Sequence, residues 1–162
     1  MIKTLFFFLL LIVSTSCADI EFVLNDNKDT NFLKNNSSIT VSGKKYENFS
    51  QELFAQFGNN KNGEYIIQTA FFEKKENIAV KKNQVAEKID YELMVVYTIY
   101  LKDVGCDVFN RTIVTNFSFT PKSSGYNFGT DRSLEKLYKT SIKNNIKKFI
   151  DAVPNNKKLS CV

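Results

Sequence analysis

The chain has 162 residues, carries 22 Lys and Arg against 17 Asp and Glu for a net charge of +5, and contains no histidine. That length holds one domain with a core of its own. The missing histidine removes Ser-His-Asp and Cys-His nucleophile systems, the commonest general base and the usual zinc ligand sets, so a non-enzyme without catalytic residues, metal or cofactor is expected.

The N-terminus reads as an export signal over residues 1–16. Lys3 supplies a positive n-region, Leu5 to Val13 an apolar run, and Ser14-Thr15-Ser16 a zone of small residues. Nine apolar residues fall well short of the roughly 18 to 20 that a helix needs to cross a bilayer. Cys17 follows the small residues directly, where a bacterial lipoprotein signal places the cysteine that becomes lipidated; ordinary cleavage after Ala18, leaving no lipid, is the alternative. Residues 17–162 then form a single domain, with 17–37 as its stem: a short apolar patch, Ile20 to Leu24, followed by a polar loop rich in Asn, Asp and Lys from Asn25 to Ser37. Cys106 and Cys161 are the two other cysteines, and in an oxidising compartment they either pair or stay free.

Ile39-Thr40-Val41 is a strand candidate stopped by Gly43. Asn48 reads as an N-cap with Gln51 three residues on, and Phe49, Leu53, Phe54 and Phe57 recur at helical spacing before Gly58. A turn cluster, Asn59 to Gly63, leads into a β-branched and aromatic strand from Tyr65 to Phe72, which continues through Ile78 to Val80 after an irregular step at Glu73 to Asn77. From Val85 to Leu101 the odd positions Ile89, Tyr91, Leu93, Val95, Tyr97, Ile99 and Leu101 alternate strictly with a second face carrying Asp90, Glu92 and Thr98. That second face also holds Met94, Val96 and Tyr100, so it is only half solvated and suits a partner. Asp103-Val104-Gly105 is a hairpin turn, and Phe109, Ile113, Phe117 and Phe119 share a face of the returning strand, which Pro121 ends. Leu134, Leu137, Tyr138, Ile142, Ile146, Phe149, Ile150 and Val153 stripe a last helix that Asp131 can cap. Lys143, Lys147 and Lys148 near its end read as solvated charge suited to the helix dipole. The expected architecture is α+β, a two-layer sandwich of two amphipathic helices on a mostly antiparallel sheet of about four strands.

Other chemistry finds little support. Asp90 and Glu92 share a strand face, as a glycosidase pair would, but a solvated polar stripe explains them as well. There is no Cys-x-x-Cys and no phosphate-cradling glycine pattern, the interspersed charges do not make a nucleic-acid surface, and the Asn-x-Ser/Thr sequons at Asn35, Asn36, Asn48, Asn110 and Asn116 arise by chance in so Asn-rich a chain. Between Glu73 and Lys88, lysines stand beside Ile78, Val80 and Val85 near a hairpin tip, a mixture able to meet a phosphate-bearing lipid or simply to keep a strand tip soluble.

Asn83-Gln84-Val85-Ala86-Glu87 followed by Asp90-Tyr91-Glu92-Leu93-Met94-Val95, together with export ending at Cys17 and a terminal amphipathic helix, resembles the LPS-assembly lipoprotein family LptE. The resemblance implies an outer-membrane lipoprotein on the periplasmic face, anchored through Cys17, that acts as the plug partner of an LptD-like outer-membrane β-barrel and assists insertion of lipopolysaccharide. It further implies basic residues that touch lipopolysaccharide, for which Lys81, Lys82 and Lys88 are the candidates here, and barrel contacts, for which Met94, Val96 and Tyr100 are the candidates. The competing readings are a generic exported periplasmic or surface binding module without catalytic activity, and a secreted enzyme inhibitor whose hairpin blocks a cleft.

Overall fold

The computed structural model describes residues 32–43, 47–80, 86–121, 128–154 and 161. Six elements follow in chain order: β1 (Ser37–Gly43), α1 (Glu47–Phe57), β2 (Tyr65–Val80), β3 (Ala86–Leu101), β4 (Cys106–Phe119) and α2 (Phe128–Ala152). The strands lie in the order β1-β2-β3-β4; β1 runs parallel to β2 across the α1 connection, whereas β2, β3 and β4 form an antiparallel meander. Two helices thus pack on a four-stranded mixed sheet, the expected α+β architecture.

The period-2 pattern decides which sheet face is covered. Tyr65, Ile67 and Phe71 of β2, Ile89 to Ile99 at odd positions of β3, and Ile113 and Phe119 of β4 are buried together with Phe49, Leu53 and Phe57 of α1 and Tyr138, Ile142, Ile146 and Phe149 of α2. Both helices therefore seal the same face. Aromatic rings join the layers and knit each one: between sheet and helix Tyr97 stacks on Phe149 with centroids 4.1 Å apart and Tyr91 meets Tyr138 edge-on at 5.3 Å, between the helices Phe57 meets Phe149 edge-on at 5.8 Å, and between neighbouring strands Tyr91 stacks on Phe117 at 4.9 Å. One polar bridge crosses this core. The Tyr97 hydroxyl donates to Asn145 Oδ1 at 2.8 Å, and Asn145 Nδ2 donates to the Ile113 carbonyl and to Thr115 Oγ1, both at 3.1 Å. Burial pushes the Tyr97 phenol far above its ordinary range, so it stays a neutral donor.

Several expectations need correction. The polar stem does not run to Ser37: Leu33 is fully buried, Phe32 packs edge-on against Tyr65 at 5.5 Å, and Asn35 N donates to the Phe57 carbonyl at 2.7 Å. A leucine and a phenylalanine inside that polar run are enough to dock it. α1 begins at Glu47, so Asn48 lies within the helix and is no N-cap. Asp131 likewise falls inside α2, whose range starts at Phe128. No step interrupts β2 at Glu73 to Asn77, because Glu73 to Asn77 pair in register with Leu93 to Ile89; the register slips only between Asn77 and Val80. The run of four charged residues from Glu73 to Glu76 imitates a break in the sequence although the strand pairing passes through it. None of Lys143, Lys147 and Lys148 lies in the last turn of α2, which ends at Ala152, so their expected role at the helix dipole is not the one the helix boundary allows.

Candidate functional site

The face of the sheet turned away from the helices carries the side chains left without a layer of their own. Cross-strand register sorts them into rows. Ile66 stands opposite Tyr100; Gln68 opposite Thr98 and then Asn110; Ala70 opposite Val96 and Thr112; Phe72 opposite Met94 and Val114. Beyond these the rows turn charged, with Lys74, Glu92 and Asn116 in one and Glu76, Asp90 and Ser118 in the next. Phe72 is 47% and Val114 40% exposed, large values for apolar side chains on a three-strand row. Met94, Val96, Tyr100, Ile66 and Ala70 are half-buried by one another.

The charged end has its own order. Ser118 Oγ donates to Asp90 Oδ1 at 2.7 Å, Lys88 Nζ sits 3.3 Å from the same oxygen, and Lys74 pairs with Glu76 at 3.7 Å. The Ser118 hydroxyl chiefly holds the Asp90 carboxyl below its usual range, against the opposing effect of desolvation, and Lys88 adds to the lowering through its hydrogen bond and its charge. These rows, with Tyr91 and Phe117 at the back, line a shallow open depression of about 280 Å³. Asp90 is thus paired with Ser118 and Lys88, and Glu76 with Lys74, while Glu92 lines the same depression.

Met94, Val96, Tyr100 and Lys88 all occupy even positions of β3 and share this uncovered face, with Lys88 at the hairpin end about 20 Å along the strand from Met94. Sequence reading had missed the flanking strands' share: Phe72 and Val114 complete the apolar row, and Ile66 and Ala70 extend it. Phe72 was visible as the second of two adjacent aromatics, Phe71-Phe72, since neighbours in a strand point to opposite faces. Cys17, Lys81 and Lys82 lie outside the described residues. Cys106, the first residue of β4, forms a disulfide with Cys161, their Cα atoms 5.7 Å apart. Among the described residues no helix is long and apolar enough to cross a membrane, and no group of three His, Cys, Asp or Glu side chains is placed to hold a metal ion.

Similar folds are found among solved bacterial proteins. A chain from Caulobacter crescentus provisionally described as a lipoprotein superposes with a TM-score of 0.56 over 74% of this chain and 88% of its own, at 10% identity. The minor lipoprotein of Acinetobacter baumannii gives 0.53 over 74% of this chain and 91% of its own, at 13% identity. This chain shares their fold. An uncharacterized lipoprotein B from Nitrosomonas europaea matches at a TM-score of 0.50 and 11% identity, over 72% of this chain and 84% of its own. No family model and no curated protein matches the sequence.

Proposed function

We propose that this chain is a lipid-anchored protein of the bacterial envelope that works by docking, not by catalysis. Its finer role is that of an LptE-like partner of an outer-membrane β-barrel, assisting the insertion of lipopolysaccharide. The observation that carries the docking role is the row Phe72, Met94, Val114, an apolar stripe crossing three strands on the sheet face that neither described helix covers. Contiguous apolar surface of this kind marks an interaction site more often than a solvated face.

Three further observations support the reading. The fold is shared with chains described as bacterial lipoproteins. The Cys106–Cys161 disulfide suits an oxidising compartment outside the cytoplasm. The N-terminal run ends at Cys17 as a lipoprotein signal does. In this reading Met94, Val96, Tyr100, Phe72 and Val114 meet the wall of the barrel, and Lys88, on the same face, lies within reach of a phosphate-bearing lipid at the edge of that contact.

The test is intact-mass analysis of the chain purified from its host's membranes with whatever co-elutes. A mass increment of two or three acyl chains on Cys17 and a large outer-membrane barrel in the same fraction are expected. An unacylated chain cleaved after Ala18, free of any barrel, would reject the anchored role and leave a freely diffusing binding module.

A further inference from the structure

The turn between α1 and β2 carries a reactive dipeptide that the docking face does not use. Asparagine is among the chemically labile side chains, and Asn62 is the one asparagine of the sequence followed by glycine. A glycine nitrogen is the least hindered nucleophile that a backbone offers to the side-chain amide before it. Asn62 is exposed and Gly63 is buried. The Gly63 N–H donates to the Asn60 carbonyl at 3.0 Å, and Asn62 N donates to Asn60 Oδ1 at 3.0 Å. Behind Gly63 the backbone of Asn36 lies so near that a Cβ would collide with its carbonyl. Asn60 is itself held at two points: its N–H donates to the Ser37 carbonyl at 2.8 Å and its Nδ2 to the Asn35 carbonyl at 2.9 Å. The dipeptide is therefore closed by the same bonds that fix the segment from Asn35 to Ser37, through which the chain enters the fold.

We propose that Asn62 is a shielded deamidation site, silent in the folded chain and converted to isoaspartate in a chain whose entry segment has come loose. The reaction needs water and hydroxide alone. Hydroxide takes the Gly63 N–H proton, the nitrogen attacks Asn62 Cγ, and a new C–N bond closes a five-membered imide while the side-chain nitrogen leaves as ammonia with a proton from water. A further water opens the ring at either carbonyl, leaving aspartate or isoaspartate and one added negative charge. In isoaspartate the backbone runs through Cβ and Cγ and is one methylene longer. While the turn is closed, the N–H that must be lost is donated to Asn60, and Asn62 is held by its own bond to the same residue. Both bonds have to open before the nitrogen can reach Cγ. At a net worth of roughly fivefold each, closure slows the reaction by at least about 25-fold. The product cannot rebuild the turn, because the added methylene lies between Asn62 N and Gly63 N, the two donors that Asn60 receives. Gly63 packs too closely on Asn36 to absorb it. The device works in one direction: opening exposes the dipeptide, and the reaction then keeps the entry segment from docking again. It operates with or without a lipid on Cys17.

The full chain, its disulfide intact, is incubated at mildly alkaline pH in buffer and, in parallel, in urea above its unfolding midpoint, and the peptide spanning residue 62 is followed by mass spectrometry that separates isoaspartate from aspartate. In urea, position 62 should convert faster than any other asparagine, and in buffer it should lag its own urea rate by at least about 25-fold. Asn60→Ala removes the Oδ1 acceptor and the Nδ2 donor; it should raise the buffer rate by roughly fivefold or more while circular dichroism remains that of the folded chain. Chains carrying isoaspartate, separated and refolded, should melt about 5 °C below the parent. Asn62→Asp, which adds the charge without the methylene, should melt close to it. Equal rates in buffer and urea, faster conversion at another asparagine of the unfolded chain, a folded Asn60→Ala variant as slow as the parent, or converted chains that melt with the parent would each overturn the proposal.

Discussion

Asn145 is the residue on which the two layers agree. It is 1% exposed, in the C-terminal half of α2, and its amide joins Tyr97 of β3 to the Ile113 carbonyl and Thr115 hydroxyl of β4. Replacing it with Leu keeps the volume but strands the Tyr97 hydroxyl in a dry site, where an unmatched polar group costs about 1 to 3 kcal/mol. Asn145→Leu should therefore lower the unfolding free energy by about 2 to 3 kcal/mol, read from the urea midpoint at unchanged slope, whereas Tyr97→Phe together with Asn145→Leu should recover part of that loss. Asp90 offers a second residue-scale test. Its carboxyl is held low chiefly by Ser118, so its NMR titration midpoint should lie below that of an ordinary aspartate and rise toward it in Ser118→Ala. A carboxyl depressed in the folded state stabilises at pH above its unfolded value and loses that contribution as pH falls through the folded value, so the Ser118→Ala effect on stability should fade under acid conditions. Neither contact was legible in the sequence: Asn145 looks like one more polar residue in a Lys- and Asn-rich helix, and the period alone places it on the buried side without naming its partners.

At the scale of elements, most of the secondary structure could be read because three signals coincided: strict alternation along β3, the four-residue spacing of Phe49, Leu53 and Phe57, and the long stripe of α2. What could not be read was how the first segment joins the sheet. Asn35, Asn36, Asn59, Asn60 and Asn62 look like loop filler, yet Asn60 N bonds the Ser37 carbonyl at 2.8 Å, Glu64 N bonds Asn36 Oδ1 at 3.1 Å and Ile39 N bonds Asn59 Oδ1 at 3.1 Å. This asparagine knot closes the end of the β1-α1-β2 unit. Gly63 lies inside it, so close to Asn36 that a Cβ would collide with the Asn36 carbonyl. Gly63→Ala should cost about 1 to 3 kcal/mol and lower the melting temperature, while Asn62→Ala next to it, an exposed residue, should cost well under that. Gly58, with φ of +72° and its N–H on the Phe54 carbonyl at 2.8 Å, ends α1 in the left-handed cap that its position after Phe57 had announced. The disulfide acts on a larger element. Cys106 and Cys161 are 55 residues apart, enclosing β4 and α2, and closing a loop of that size in the unfolded chain is worth about 4 kcal/mol. Cys161→Ser should lower stability by an amount of that order, measured by denaturant unfolding against the oxidised parent; the sequence left paired and free thiols open because it does not show the distance between the two Cα atoms.

The whole molecule is a sandwich with two unlike outsides. One is the sheet face with its apolar row, the other the helix layer, where the exposed cations of α2 stand beside the carboxylates of α1. Substitutions on the sheet face should accordingly separate binding from stability. Phe72→Thr and Val114→Thr keep strand propensity and touch no buried packing, so each should change the unfolding free energy by less than about 1 kcal/mol, while their combination should release a partner held through that row. The sequence disclosed half of this face, through Met94, Val96 and Tyr100 on β3, because a single strand shows its own alternation; the rest required the register that sets Phe72 and Val114 beside Met94. The most direct test of docking through the sheet is to place a photo-crosslinking amino acid at Val114 and, as a control, at Thr140 on the helix layer, and to irradiate intact host cells. Adducts with an outer-membrane β-barrel from position 114 and none with it from position 140 are predicted. No barrel adduct at 114, or an equal yield from both positions, would contradict the account.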